Sequence, residues 1–177
     1  DIAKISYVMN KIIHYIILLL GAVSLSTCIV EDEEPPVGNN LGVGDKIPQF
    51  SVIMNNGKMI CSEDLIGNVS LIVFFNTLCN DCRKELPVIQ RFHESYPQYP
   101  LLCISREEGE DSVAKYWESY SFTMPYSAQD NRTIYQLFAQ KVIPRVYIID
   151  KEGFIRYIFM DTPLATYDDL RKAVMEL

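Results

Sequence analysis

The stretch that most limits the possible folds is VSLIVFFN, residues 69–76, followed at once by TLCNDCRKELP. A run so uniformly β-branched and aromatic has no polar face to turn towards water. It predicts a strand covered on both sides. Residues 80–96 then read as a helix, and Cys79 and Cys82 stand where strand passes into helix. A C-x-x-C at such a turn leaves three chemistries to weigh: half of a metal site, a structural disulfide, or a thiol pair that exchanges electrons.

A metal site needs about four ligands at characteristic spacing. There is no second C-x-x-C, and the two histidines are His14, in an apolar leader, and His93, expected on the exposed side of the helix. A disulfide closing so small a loop removes little entropy from the unfolded chain and stabilises little. The redox reading explains the placement. A buried strand delivers Cys79 to a helix N-terminus, where unpaired N–H groups and the helix dipole favour an anion. Such placement lowers a cysteine pKa to roughly 3.5–7.5, and the thiolate is the nucleophile. Cys82, one turn into the helix and more buried, then resolves the mixed disulfide. This chemistry requires no cofactor and no metal.

The rest of the chain frames that motif. PQFSVIM, NNG and KMI predict a β-hairpin turning at Asn56-Gly57. PLLCIS (100–105) is a second buried strand. DSVAKYWESYSF (111–122) is a helix whose stripe of Val113, Tyr116, Trp117 and Tyr120 is expected in the core. RTIYQLFAQ is a short helix, PRVYIID (144–150) and FIRYIFM form an antiparallel pair around KEG, and TYDDLRKAVMEL closes as a helix capped by Thr166. The order predicts an α/β fold: a mixed central sheet, helices on both faces and an N-terminal β-hairpin.

Length and charge bound the rest. The 177 residues suit one domain, and 49% hydrophobic residues can build a core. A net charge of −7 argues against a nucleic-acid partner. The N-terminal part reads as an export leader. Residues 1–8 precede Met9 and are assigned no function. Residues 9–28 run from a basic start through an apolar centre to small residues. LSTC, ending at Cys28, resembles a bacterial lipobox, which implies cleavage before Cys28 and lipidation of it. The alternative is an uncleaved signal anchor. The uncharged span Ile16–Val30 is 15 residues, short of the roughly 20 needed to cross a bilayer. Residues 29–40, acidic and proline-containing, are expected to be a flexible tether. The folded domain is expected over 41–177, in the cell envelope, facing the periplasm or the exterior.

GDKIPQFSV, CRKELP and VIPRVYIIDKEGFIRY, in that order, resemble segments of thioredoxin-fold proteins of the TlpA/ResA type. These are membrane-tethered, extracytoplasmic thiol–disulfide oxidoreductases. The resemblance covers about residues 42–177. It implies that Cys79 and Cys82 are the redox pair and that Pro144 is the proline held in cis beside it. It further implies disulfide-containing protein substrates and a membrane thiol electron donor. Glu85 matches an acidic residue that influences the protonation of the cysteines. Its i+3 spacing from Cys82 admits that role or that of a solvated surface glutamate. Pro87 is expected to kink the helix.

The sequence also departs from the family. Leu78 replaces a tryptophan. Arg145 replaces a threonine after the proline and is expected to place a charge beside the substrate groove. Val73 stands where classic thioredoxin has a buried carboxylate. Asp81, between the cysteines, is expected to raise the pKa of Cys79 and make the pair a reductant. Cys61 and Cys103 lie on strands expected to be neighbours, so a second disulfide is possible; two buried thiols are the preferred expectation. Two rival functions remain. A thiol peroxidase of the AhpC/TSA type wants proline and threonine or serine where Ile72 and Asn76 stand. A catalytically quiet binding module would merely have kept the fold.

Overall fold

The computed structural model describes residues 41–177. The expected leader over 9–28, Cys28, the tether over 29–40 and residues 1–8 lie outside the described residues. Among the described residues no helix is long and apolar enough to cross a membrane.

The chain opens with a hairpin of β1 (Ser51–Ile53) and β2 (Met59–Cys61), followed by a 3-10 turn at Ser62–Leu65. Its turn uses Gly57 at φ +78°, a backbone region glycine enters without steric cost. Next come β3 (Ser70–Phe75), α1 (Asn80–Ser95) and β4 (Leu101–Ser105). They are followed by α2 (Glu110–Tyr120), β5 (Tyr126–Ser127) and α3 (Thr133–Phe138). β6 (Arg145–Ile149), β7 (Ile155–Phe159) and α4 (Tyr167–Met175) complete the fold.

Five strands form one mixed sheet in the order β5-β4-β3-β6-β7. β4 runs parallel to both β3 and β5, and β6 runs antiparallel to β3 and β7. Every residue of β3 is buried, as its unbroken apolar run requires. Its side chains divide by period two. Leu71, Val73 and Phe75 face a core shared with Cys82, Leu86, Ile89 and Phe92 of α1, Val113 and Trp117 of α2, and Leu170 and Val174 of α4. Ile72 and Phe74 face the other side, with Tyr135 and Phe138 of α3 and Val52 and Met54 of the hairpin. Helices therefore cover both faces of the sheet.

α4 begins with reciprocal hydrogen bonds. Thr166 Oγ1 accepts the Asp169 amide at 3.2 Å, and Asp169 Oδ2 accepts the Thr166 amide at 3.0 Å. Thr166→Ala is expected to cost about 1 kcal/mol. Urea unfolding of variant and wild type tests this: the midpoint should fall with the m-value unchanged.

Three expectations change in the folded chain. The hairpin is a separate two-stranded sheet, and the neighbour of β4 is β5, whose two residues are too few to leave a periodic signal. The hairpin meets β5 through its turn instead: the Asn55 amide donates to the Tyr126 carbonyl at 2.7 Å, and Ser127 Oγ to the Ile53 carbonyl at 2.7 Å. Cys61 and Cys103 consequently do not pair with each other. Cys103 is a free, fully buried thiol, which is the part of the two-thiol expectation that the described residues bear out. In α2, Val113 and Trp117 are core, but Tyr120 is 52% exposed; it stacks on Tyr116 with ring centres 4.5 Å apart. The stripe leaves the core over the last turn of α2.

Candidate active site at the start of α1

The end of β3 and the start of α1 are joined by Asn76, Thr77, Leu78 and Cys79. Asn76 Oδ1 accepts the Leu78 amide at 2.9 Å, and the Asn76 carbonyl accepts the Cys79 amide at 3.1 Å. These bonds turn the chain sharply and leave Cys79 as the N-cap of α1, with extended backbone. Cys79 Sγ accepts the Cys82 amide at 3.3 Å. The sulfur thus takes one of the N–H groups that a helix start leaves unpaired. On its other side the Cys79 thiol donates towards the Ile143 carbonyl at 3.6 Å.

The two cysteines differ in access. Cys79 is half-buried and Cys82 is fully buried, and both carry free thiols. Burial pushes the Cys82 thiol far above its ordinary value, and the contact with Cys79 and the charge of Glu85 push it the same way. Leu78, beside the pair, is 76% exposed. An exposed apolar side chain therefore stands next to Cys79, at the position where Leu78 replaces the tryptophan of the TlpA/ResA type.

Glu85 lies one turn after Cys82 and is 1% exposed, so it is not a solvated surface glutamate. Its Oε1 accepts the Ala165 amide, from the β7–α4 loop, at 2.8 Å. Its Oε2 is buried and has no hydrogen-bond partner. Burial raises its pKa from 4.5 to about 7, against the opposing pull of the Ala165 amide. Pro87 lies inside α1, which continues through it.

The loop before β6 supplies the opposite wall. The Ile143–Pro144 peptide is cis. Val142 has φ +72°, a left-handed conformation that strains a β-branched residue. Two buried side chains hold the loop in place. Tyr135 Oη donates to the Val142 carbonyl at 2.9 Å, and an Arg145 guanidinium N–H to the Lys141 carbonyl at 2.9 Å. Arg145 is 4% exposed and also reaches Tyr147 Oη at 3.4 Å. The expected charge beside the groove is therefore absent: β6 pairs Arg145 with Phe74, turning its side chain to the α3 side of the sheet.

Asp81 is paired with Lys84 at 2.8 Å. His93 is half-buried, not exposed; its Nδ1 lacks a partner, and burial lowers its pKa. Among the described residues no three His, Cys, Asp or Glu side chains group as a metal site.

Sequence reasoning missed one feature. Thr77, two residues before Cys79, gives both its donors to Glu108 after β4: the amide to Oε2 at 2.7 Å and the hydroxyl to Oε1. The Thr77 carbonyl accepts Arg83 Nε at 2.6 Å. The partners are 31 residues apart in sequence, and no local pattern announces a contact at that distance.

Residues 43–158 match the AhpC/TSA family. This chain belongs to that family. Thiol-disulfide oxidoreductase ResA of Bacillus cereus is 27% identical over 154 residues, covering 81% of this chain and 84% of ResA. Thioredoxin-like protein YneN of Bacillus subtilis is 27% identical over 123 residues, covering 67% of this chain and 72% of YneN. The thioredoxin domain of a thiol-disulfide oxidoreductase from Bacteroides vulgatus superposes with a TM-score of 0.66 at 20% identity, covering 76% of this chain and 99% of that domain. The fold is the thioredoxin fold. Within the AhpC/TSA family this chain lacks the side chains expected of a peroxidase. Ile72 is fully buried in the sheet, and Asn76 uses its side-chain oxygen to turn the loop rather than offering a hydroxyl to Cys79.

Proposed function

We propose that this chain is a thiol–disulfide oxidoreductase that reduces protein disulfides by dithiol exchange. The observation that carries the reading is the unequal pair. Cys79, half-buried, caps the start of α1 with its Sγ accepting the Cys82 amide, and Cys82 is fully buried behind it.

The steps follow from that inequality. Cys79 thiolate attacks one sulfur of the substrate disulfide; an S–S bond forms to Cys79, and the other substrate sulfur leaves as a thiolate. Cys82 then loses its proton and attacks Cys79 Sγ. The second substrate thiol leaves, and the Cys79–Cys82 disulfide closes. The substrate gains two electrons and the protein loses two. Glu85 is the base for Cys82. It stands one turn away, has an unpartnered oxygen and titrates at about 7, a value suited to moving a proton at neutral pH. Pro144 fixes the loop that turns the Ile143 carbonyl towards Cys79. The high pKa of Cys82 supports the reducing direction, because ionisation of that thiol does nothing to stabilise the reduced pair.

Location and partners rest on the leader. The reading places the domain in the cell envelope, tethered through 29–40 to lipid on Cys28, with a membrane thiol donor returning the electrons.

Cys82→Ala leaves the attacking thiol but removes resolution. It is expected to accumulate mixed disulfides at Cys79 with reduction-sensitive partners, while wild type reduces an insulin-type disulfide. No adduct in the variant together with unreduced insulin in the wild type would reject the reading in favour of a quiet binding module. Peroxide consumption with a thiol donor would favour the peroxidase. A reduction potential near the strongly oxidising value of roughly −120 mV would reverse the direction of transfer.

A further inference from the structure

We infer that Glu108 is a positioning residue for thiol exchange: its carboxylate clamps Thr77 and thereby fixes where Cys79 stands relative to Cys82. The inference deepens the oxidoreductase reading and rests on it for its purpose, but the geometry stands by itself. Both carboxylate oxygens go to Thr77, one to the amide at 2.7 Å and one to the hydroxyl. Both residues are buried. Burying a carboxylate is costly unless its hydrogen bonds are made. Here they are made on the residue two before the attacking cysteine.

Glu108 is itself anchored. Its carbonyl accepts Ser105 Oγ at 2.7 Å, and its backbone bridges to Gln129. The clamp thus ties the Asn76–Cys79 turn to the end of β4. The other bonds inside that turn, Asn76 to Leu78 and Asn76 to Cys79, are local and move with it. The Arg83 bond to the Thr77 carbonyl comes from α1, the helix that Cys79 caps. Glu108 therefore ties the turn to the end of β4, beside the longer contact of the Cys79 thiol with the Ile143 carbonyl at 3.6 Å. Ring closure needs Cys82 Sγ in line with the S–S bond at Cys79, and a small misplacement of such a pair slows reaction by one to two orders of magnitude.

Dithiodipyridine separates the steps in the reduced protein. Attack by Cys79 releases one thiopyridone and leaves a mixed disulfide. Attack by Cys82 on Cys79 Sγ releases the second and leaves the Cys79–Cys82 disulfide, the reagent being the two-electron oxidant. Glu108→Gln keeps the shape but accepts only one of the two Thr77 donors. It is expected to slow the second release about tenfold and leave the first within about twofold of wild type. Thr77→Val should slow the second release as well, Thr77→Ser should match wild type, and the Glu108→Gln/Thr77→Val pair should be no slower than the slower single variant. Urea unfolding identifies the folded variants. A folded Glu108→Gln or Thr77→Val protein closing its ring at the wild-type rate would overturn the inference, as would additivity in the pair. If wild type closes the ring but leaves protein disulfides intact, the oxidoreductase reading fails and the clamp stands.

Discussion

Cys79→Ser is expected to lower the rate of disulfide reduction by about a thousandfold or more, to the level of the uncatalysed reaction. The hydroxyl keeps the size and much of the hydrogen bonding of the thiol. It therefore preserves the N-cap, where Sγ accepts the Cys82 amide at 3.3 Å. What it loses is ionisation, because a serine hydroxyl holds its proton throughout the working range. Cys82 has no route to compensate: it is fully buried, and its own thiol is pushed far above the ordinary value. Insulin reduction by the two proteins at equal concentration measures the effect. The comparison is clean only if the urea midpoints agree, which the retained cap predicts. Residual activity above about a tenth of wild type would place the attacking sulfur elsewhere.

Glu85→Gln is expected to make the fold more stable above neutrality and to flatten its dependence on pH. The Glu85 carboxyl titrates at 4.5 ordinarily and at about 7 in the folded protein, chiefly because it is buried. Between those values the native state binds more protons than the unfolded state, so stability falls as pH rises. The loss is complete above about pH 7. At about 1.4 kcal/mol per pH unit it comes to on the order of 3 kcal/mol. Glutamine presents the same oxygen to the Ala165 amide and an uncharged group where Oε2 stands, so it carries no such loss. Urea unfolding at about pH 5 and about pH 8 tests the sign. Wild type should lose stability between them by more than the variant. Equal losses would mean that Glu85 titrates as an ordinary carboxylate. The variant should also lose the rise in ring-closure rate through about pH 7 that a base with this pKa imposes.

Much of this site was legible from the chain, and particular residues show why. The strand at Ser70–Phe75 could be read because a residue buried on both faces leaves an unbroken apolar run. Cys79 and Cys82 could be placed because strand, C-x-x-C and helix are adjacent in sequence, and such local order survives folding. Their unequal exposure followed from helix periodicity. Other features depend on what the chain brings together from a distance. Spacing put Glu85 beside Cys82 but could not say whether the β7–α4 loop would cover it; the Ala165 amide does. Arg145 reads as a groove charge until the register with Phe74 assigns it to the opposite side of the sheet. Glu108 belongs to an acidic run indistinguishable from a solvated surface until Thr77 arrives. The separation of Cys61 from Cys103 was hidden by β5, a strand of two residues.

That short strand has a further consequence. A sheet border with free amides and carbonyls is a template on which another polypeptide can polymerise. At β5 the template is both brief and occupied, since the Tyr126 carbonyl accepts the Asn55 amide and the Tyr126 amide donates to Asn55 Oδ1. Self-association by ladder extension is thereby directed to the opposite border, β7, where Arg156 is exposed and carries a charge. Copies crowded onto one surface would meet a barrier to fibrous growth at either margin.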